Sequence, residues 1–243
     1  MLGRMSASHI STVPPVPAVP AVIFDLDGTL VDSEPNYYEA GRRLLSQYGV
    51  HDFSWEQHSR FIGIGTRETL ETLREEYGIE ASVGTLLAEK NRLYLERVRA
   101  STEAFPQMRE FVERLHADGA RMAVASGSSR EAIDVALGVT GLDAYFPVVV
   151  SAEEVDHGKP EPDVFLEAAR RLSAEPADCV VLEDAVPGAV AAHAAGMRCI
   201  AIPYVPDTAS DPAFGTAGLL FAGGQREFTA RAAYAWLSEA GER

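Results

Sequence analysis

A chain of 243 residues, 47% hydrophobic and 23% charged, has the size and balance of a globular protein that buries a sizeable core. Its formal net charge of -15 repels nucleic acid and anionic membranes, so neither is expected as a partner, and a phosphorylated substrate would need local cations or a metal. The two cysteines, Cys179 and Cys199, sit in apolar runs and read as small core residues, not a disulfide or metal pair, which points to a reducing, cytoplasmic setting.

Residues 1–18, with Pro14, Pro15 and Pro17 among small residues, read as a loose tail without a signal-peptide core, and no stretch is long and apolar enough to span a membrane. The run Val19 to Phe24 lacks polar alternation, as expected of a strand buried on both faces. It ends in Asp25-Leu26-Asp27-Gly28. Two carboxylates at the end of a buried strand need neutralising, and Mg²⁺, a hard cation that takes oxygen ligands, would do so. Taken alone, the same residues also fit a solvated turn. An EF-hand loop is excluded, because the later ligands are missing at their spacing.

After Glu34-Pro35, read as a break, the pattern becomes helical to about Ser101. Helices are expected over Asn36–Tyr48, Trp55–Phe61, Thr66–Tyr77 and Ser82–Arg99, with Gly63-Ile64-Gly65 as a loop and no convincing strand between them. From Pro106 strand and helix alternate. Strands are expected at Arg121–Ala125, Val148–Val150, Cys179–Leu182, Arg198–Ile202 and, at an edge, Leu219–Phe221. Helices are expected over Met108–Ala117, Arg130–Leu137, Asp163–Leu172, Val186–Ala195 and Phe228–Leu237. This order implies an α/β, Rossmann-like parallel sheet. Residues 19–34 and 106–243 would form the core and 35–105 an inserted all-helical cap.

Ligands of such sheets bind beyond the carboxyl ends of the strands. The polar residues fall there: Asp25 and Asp27, Ser126, Glu183 and Asp184, with Lys159 in a proline-rich loop. Transfer of a phosphoryl group needs a nucleophile, charge neutralisation and a proton for the leaving oxygen. Asp25 suits the nucleophile and Asp27 the acid/base. Ser126 offers a hydroxyl and Lys159 a fixed charge, while Glu183 and Asp184 would complete a metal shell with Asp25. Singly, each has an ordinary alternative: Ser126 a helix cap, Lys159 a surface lysine, Glu183-Asp184 a turn.

Together, Asp25-Leu26-Asp27-Gly28-Thr29, Ser126 after a strand, Gly158-Lys159-Pro160-Glu161-Pro162-Asp163 and Glu183-Asp184 resemble the four motifs of the haloacid dehalogenase superfamily. The resemblance runs from about Val19 to Val205. The helical insertion is similar to the cap of the subgroup holding beta-phosphoglucomutase and sugar-phosphate phosphatases. It implies an Mg²⁺-dependent phosphatase acting on a small phosphorylated metabolite through an aspartyl-phosphate. Ser126, Gly127 and Lys159 would bind phosphate; Asp25, the carbonyl of Asp27, Glu183 and Asp184 would bind Mg²⁺. Asp27 separates the chain from the dehalogenases, which lack that acid. Arg67, the pair Lys90-Asn91 and, more weakly, Arg130 resemble residues that hold the far end of a sugar phosphate. The mutases place a His where this chain has Tyr37. A phosphomutase and a non-catalytic phospho-ligand sensor remain as alternatives, and a monomer is compatible with the charge.

Overall fold

The computed structural model describes residues 20–240, so the expected tail lies outside the described residues. Six strands are present: β1 (Ala21–Phe24), β2 (Met122–Ser126), β3 (Val148–Ser151), β4 (Cys179–Glu183), β5 (Arg198–Ala201) and β6 (Leu219–Leu220). They pair in parallel in the order β3-β2-β1-β4-β5-β6. The chain runs outward from β1 to β3 on one side, then returns beside β1 at β4 and runs outward on the other. The strand order therefore reverses between β1 and β4, where ligands of open α/β sheets bind.

Alternation along β1 sorts its side chains onto two cores. Val22 and Phe24 join Val124, Leu182 and Ile200 on one face. Ala21 and Ile23 join Ala123, Ala125, Val181, Cys179 and Cys199 on the other. Both cysteines are free and buried, as small core residues. Burial on both faces explains why β1, β2 and β4 read as continuous apolar runs.

Five helices lie between β1 and β2, and the first four form the insertion: α1 (Glu34–Gln47), α2 (Trp55–Ser59), α3 (Thr66–Glu76) and α4 (Val83–Ser101). Pro35 does not break the chain before α1; it lies in that helix's first turn, where its missing N–H leaves no partner unsatisfied. The chain leaves and re-enters the sheet layer side by side, with Asp32 N donating to Glu103 O at 3.0 Å and Phe105 N to Leu30 O at 3.1 Å. Within the insertion α4 packs on α1 and α3, and it also meets α6 (Arg130–Thr140) of the sheet layer.

The remaining helices are α5 (Pro106–Ala117), α7 (Asp163–Arg171), α8 (Val186–Ala194) and α9 (Ala230–Ala240). The last starts later than the sequence pattern suggests. Phe228 is a core residue ahead of it, its ring 6.0 Å from that of Phe111 and 5.2 Å from that of Phe221.

Candidate active site

Asp25 immediately follows β1, and Ser126 and Glu183 are the last residues of β2 and β4, so the sheet register carries all three to one rim. Gly28 turns the chain away at φ +80°, and a side chain there would run into Asp184. Lys159 reaches in from the loop before α7 and lies over the Phe165 ring, 4.8 Å from its centroid. Its Nζ donates at 2.5 Å to both Asp25 Oδ1 and Glu183 Oε1. The ordinary reading of Lys159 as a surface lysine is excluded, since its side chain is 8% exposed.

Ser126 is not a helix cap. That task falls to Ser129, whose hydroxyl accepts from Ala132 N, leaving Ser126 Oγ to donate to Asp27 Oδ2 at 3.2 Å. Ser128 Oγ donates to the same oxygen at 2.6 Å, and Tyr94 of α4 donates to Asp27 Oδ1 at 3.2 Å. Gly127 sits exposed in the turn between Ser126 and Ser128.

The electrostatics are those of crowded acids. Burial pushes the Asp25 carboxyl up; Lys159 opposes that rise while Glu183 and Asp27 reinforce it. Burial raises Asp184 as well, with Glu183 and Asp25 adding to it. Burial pulls the Lys159 ammonium down, but Asp25 and Glu183 outweigh it and leave it raised. The one ammonium is shared between Asp25 and Glu183, with Asp27 and Asp184 left to other partners.

The donor set tests whether a hard cation fits. Asp184 Oδ1 accepts from Thr29, whereas its Oδ2 is buried with no partner. A buried, unpartnered carboxylate oxygen among excess negative charge is a cation donor by its chemistry. Glu183 is oriented otherwise: Oε2 accepts from the N–H groups of Asp184 and Ala185, and Oε1 from Lys159. Accordingly, among the described residues no three His, Cys, Asp or Glu side chains form a ready metal cage. Gly188 of α8 keeps Glu183 in this pose, because a side chain there would overlap its carboxylate.

The helical insertion supplies a second group. Lys90 is buried at 6% exposure, not a surface residue, and lies 5.5 Å from the Tyr37 ring centroid. Burial lowers its pKa to about 8, with Glu34 opposing. Glu34 itself is paired to His58 at 2.9 Å. Arg67 is exposed in the first turn of α3 and joins none of these hydrogen bonds. Arg130 is turned to the surface, paired with Asp134 and Glu154.

Several residues escaped the sequence reading. Tyr37 stacks on Tyr94 at 3.9 Å between centroids, and its hydroxyl lies 2.5 Å from Ser128 Oγ. Tyr94 has the spacing of a core residue, and only the fold reveals that its hydroxyl faces an acid. Gln225, near the C-terminus, donates to the carbonyls of Gly28 and Thr29 from a segment without any motif.

A parallel sheet that gathers paired acids, a lysine and serines at its switch point defines the class: an α/β protein with a carboxylate-rich candidate site at the strand ends. The chain belongs to the haloacid dehalogenase-like hydrolases, whose profile matches residues 22–202, and within them it is a phosphatase. A phosphorylated carbohydrates phosphatase of Thermotoga maritima is 36% identical over 184 residues, covering 74% of this chain and 83% of that protein. A bifunctional riboflavin kinase/FMN phosphatase of Arabidopsis thaliana is 35% identical over 186 residues, covering 76% of this chain; the match spans only 48% of that two-activity protein. The fold is shared with a beta-phosphoglucomutase of Clostridium difficile, at a TM-score of 0.76 and 23% identity, covering 93% of this chain and 100% of that one.

Proposed function

We propose that this phosphatase hydrolyses a sugar phosphate, in a Mg²⁺-dependent reaction that passes through an aspartyl-phosphate on Asp25. The observation that carries this is the division of labour between the two acids. Asp25 is bonded to a lysine, whereas Asp27 is held by hydroxyls. A carboxylate beside a fixed cation suits attack on a dianion; one held by hydroxyls suits proton transfer.

In the first step an Asp25 oxygen attacks phosphorus and Asp27 gives its proton to the departing sugar oxygen. In the second, Asp27 takes a proton from water as water attacks phosphorus, and the Asp25–phosphorus bond breaks. Lys159 holds charge against phosphate and nucleophile, and Ser126 offers its hydroxyl with the turn at Gly127. Asp25, the Asp27 carbonyl and Asp184 would hold Mg²⁺, with Glu183 at its margin; the cation would supply charge neutralisation between nucleophile and phosphate. Residues 35–105 act as a mobile cap that excludes water during the first step. Lys90 meets the sugar, and Arg67 reaches it only if the cap moves. The Thermotoga relative's name supports the carbohydrate class.

The test is phosphate release from a panel of sugar phosphates and FMN, with and without Mg²⁺, and with Asp25→Asn. Metal-dependent release from sugar phosphates, abolished in the variant, is expected. Preference for FMN changes the substrate class. Glucose 1-phosphate isomerisation without net release makes the protein a mutase. Tight binding without turnover makes it a sensor. Parental turnover by Asp25→Asn removes the aspartyl-phosphate.

A further inference from the structure

The turn after β2 is fixed from the neighbouring strand. Ser126 and Ser151 are the last residues of β2 and β3 and stand opposite each other in the parallel ladder. Both are fully buried, and Ser128 is nearly so. Ser151 Oγ donates to the Ser128 carbonyl at 2.6 Å and accepts from Glu153 N at 3.1 Å, so its single proton is committed to the turn. On the other side, Ser128 N donates to Ser126 Oγ at 3.0 Å. Residue 128 is therefore held at both of its peptide groups, the N–H by Ser126 and the carbonyl by Ser151. A planar peptide leaves only two soft dihedrals per residue, so these two bonds set the course of the turn through Gly127.

Ser151 also opens the segment that leads to Lys159. Its own N–H donates to Glu154 Oε1 at 3.2 Å, and a short helical turn follows over Ala152–Glu154. Glu153 Oε2 accepts from Arg130 N at 3.0 Å, and Glu154 pairs with the side chains of Arg130 and Arg171. Residues 126–130 and 151–154 are thus joined by one buried hydroxyl–carbonyl bond and by bonds at the surface. Surface ion pairs contribute little in water. The buried bond matters more, because its loss leaves a carbonyl without a donor where solvent does not reach.

We infer, on the assignment of Ser126, Gly127 and Lys159 to phosphate given above, that Ser151 is a positioning residue for the phosphate site. It touches no substrate atom. It sets the Ser126–Ser128 turn against the start of the segment that carries Lys159, so that hydroxyl, turn and ammonium converge on one phosphoryl group. The two phosphate-binding elements come from different βα connections, and the end of β3 is where they are tied.

Ser151→Ala removes the hydroxyl and adds no volume. Inorganic phosphate is the probe, titrated calorimetrically in the presence of Mg²⁺, so that binding is read without turnover. Ser129→Ala is the control, since it removes a helix cap from the same connection and leaves the buried bond in place. A Kd for phosphate raised about tenfold in Ser151→Ala and unmoved in Ser129→Ala is expected. A parental Kd in Ser151→Ala, or an equal rise in Ser129→Ala, would overturn the inference, the second because lost stability alone would then explain it. If Ser151→Ala does not fold, Ser151→Cys, which keeps a side chain of similar shape with a much weaker donor, is judged on the same criterion. Ser126→Ala keeps the two claims apart. Parental phosphate binding by Ser126→Ala defeats the phosphate assignment, whereas weakened binding there beside a parental Ser151→Ala defeats only the role of Ser151.

Discussion

Lys90 is held at the expense of stability, and Lys90→Met measures by how much. The ammonium is 6% exposed, makes no hydrogen bond among the described residues, and faces the ring of Tyr37. The nearby Glu34 carboxylate is engaged by His58. Burial lowers the lysine from 10.5 to about 8. At about 1.4 kcal/mol per tenfold change in proton affinity, that is a penalty of roughly 3 kcal/mol at neutral pH. The sign follows from linkage. Between pH 8 and 10.5 the unfolded chain binds the proton that the folded chain has lost, so stability rises with pH through that window. The penalty is fully present below pH 8 and gone above 10.5. Methionine has similar length and no charge to bury. Urea denaturation at pH 7 should show Lys90→Met more stable than the parent by about 1–3 kcal/mol, after allowance for relaxation and for Glu34. The advantage should vanish by about pH 10. A variant less stable at pH 7, or a difference that ignores pH, would refute the picture of an unpaired buried ammonium.

Other substitutions separate architecture from chemistry. Ser129→Ala removes a helix cap and should lower stability by about 1 kcal/mol with kcat intact, whereas Ser126→Ala, three residues earlier, should lower kcat. A reversal of that pattern, seen by urea melts and phosphate release, would reassign the two serines. Asp184→Asn should abolish the rise in Tm that Mg²⁺ gives the parent, because the unpartnered Oδ2 is the donor at stake. Gly188→Ala should push Glu183 from its pose and destabilise by about 1–3 kcal/mol, read by thermal melting. Lys90→Met should slow hydrolysis of a hexose phosphate more than that of p-nitrophenyl phosphate, and equal losses would remove Lys90 from substrate recognition.

The sheet was legible because its strands are buried on both faces and end in polar residues, a signal that short-range chemistry imposes directly. Asp25, Ser126 and Glu183 could be assigned to one rim from strand order alone. Strand ends are set by the ladder, and the ladder also aims the side chains that end it. Lys159 needed its loop motif, since nothing in a lysine's local sequence reports burial. Where the reading failed, contacts joined segments far apart in the chain. Lys90 falls in helical register with Leu86, Leu93 and Tyr94, but spacing does not say what covers a charged side chain; here α1 and the Tyr37 ring do. Tyr94 shows the opposite error: helical spacing identifies an apolar ring in a core and conceals a hydroxyl directed at an acid. Pro35 misled for a third reason, because the same residue ends one helix and begins another, and the neighbours that decide lie in space.

The arrangement of charge explains why the insertion bears on chemistry. Asp25, Asp27, Glu183 and Asp184 cannot all be satisfied by Lys159, which is already shared between Asp25 and Glu183. A dianionic phosphate entering this rim adds negative charge, so the sheet layer alone is repulsive toward its own substrate. Two remedies are available, a cation on Asp25 and Asp184, and positive or hydroxyl groups brought by the helices. Lys90, Tyr37 and Tyr94 are of the second kind, and all come from the segment between β1 and β2. On the proposed reading, a site divided in this way is complete only when that segment lies against the rim. Binding and chemistry are then coupled to one packing event, and substitutions on α1 or α4 that leave every acid intact should still change turnover.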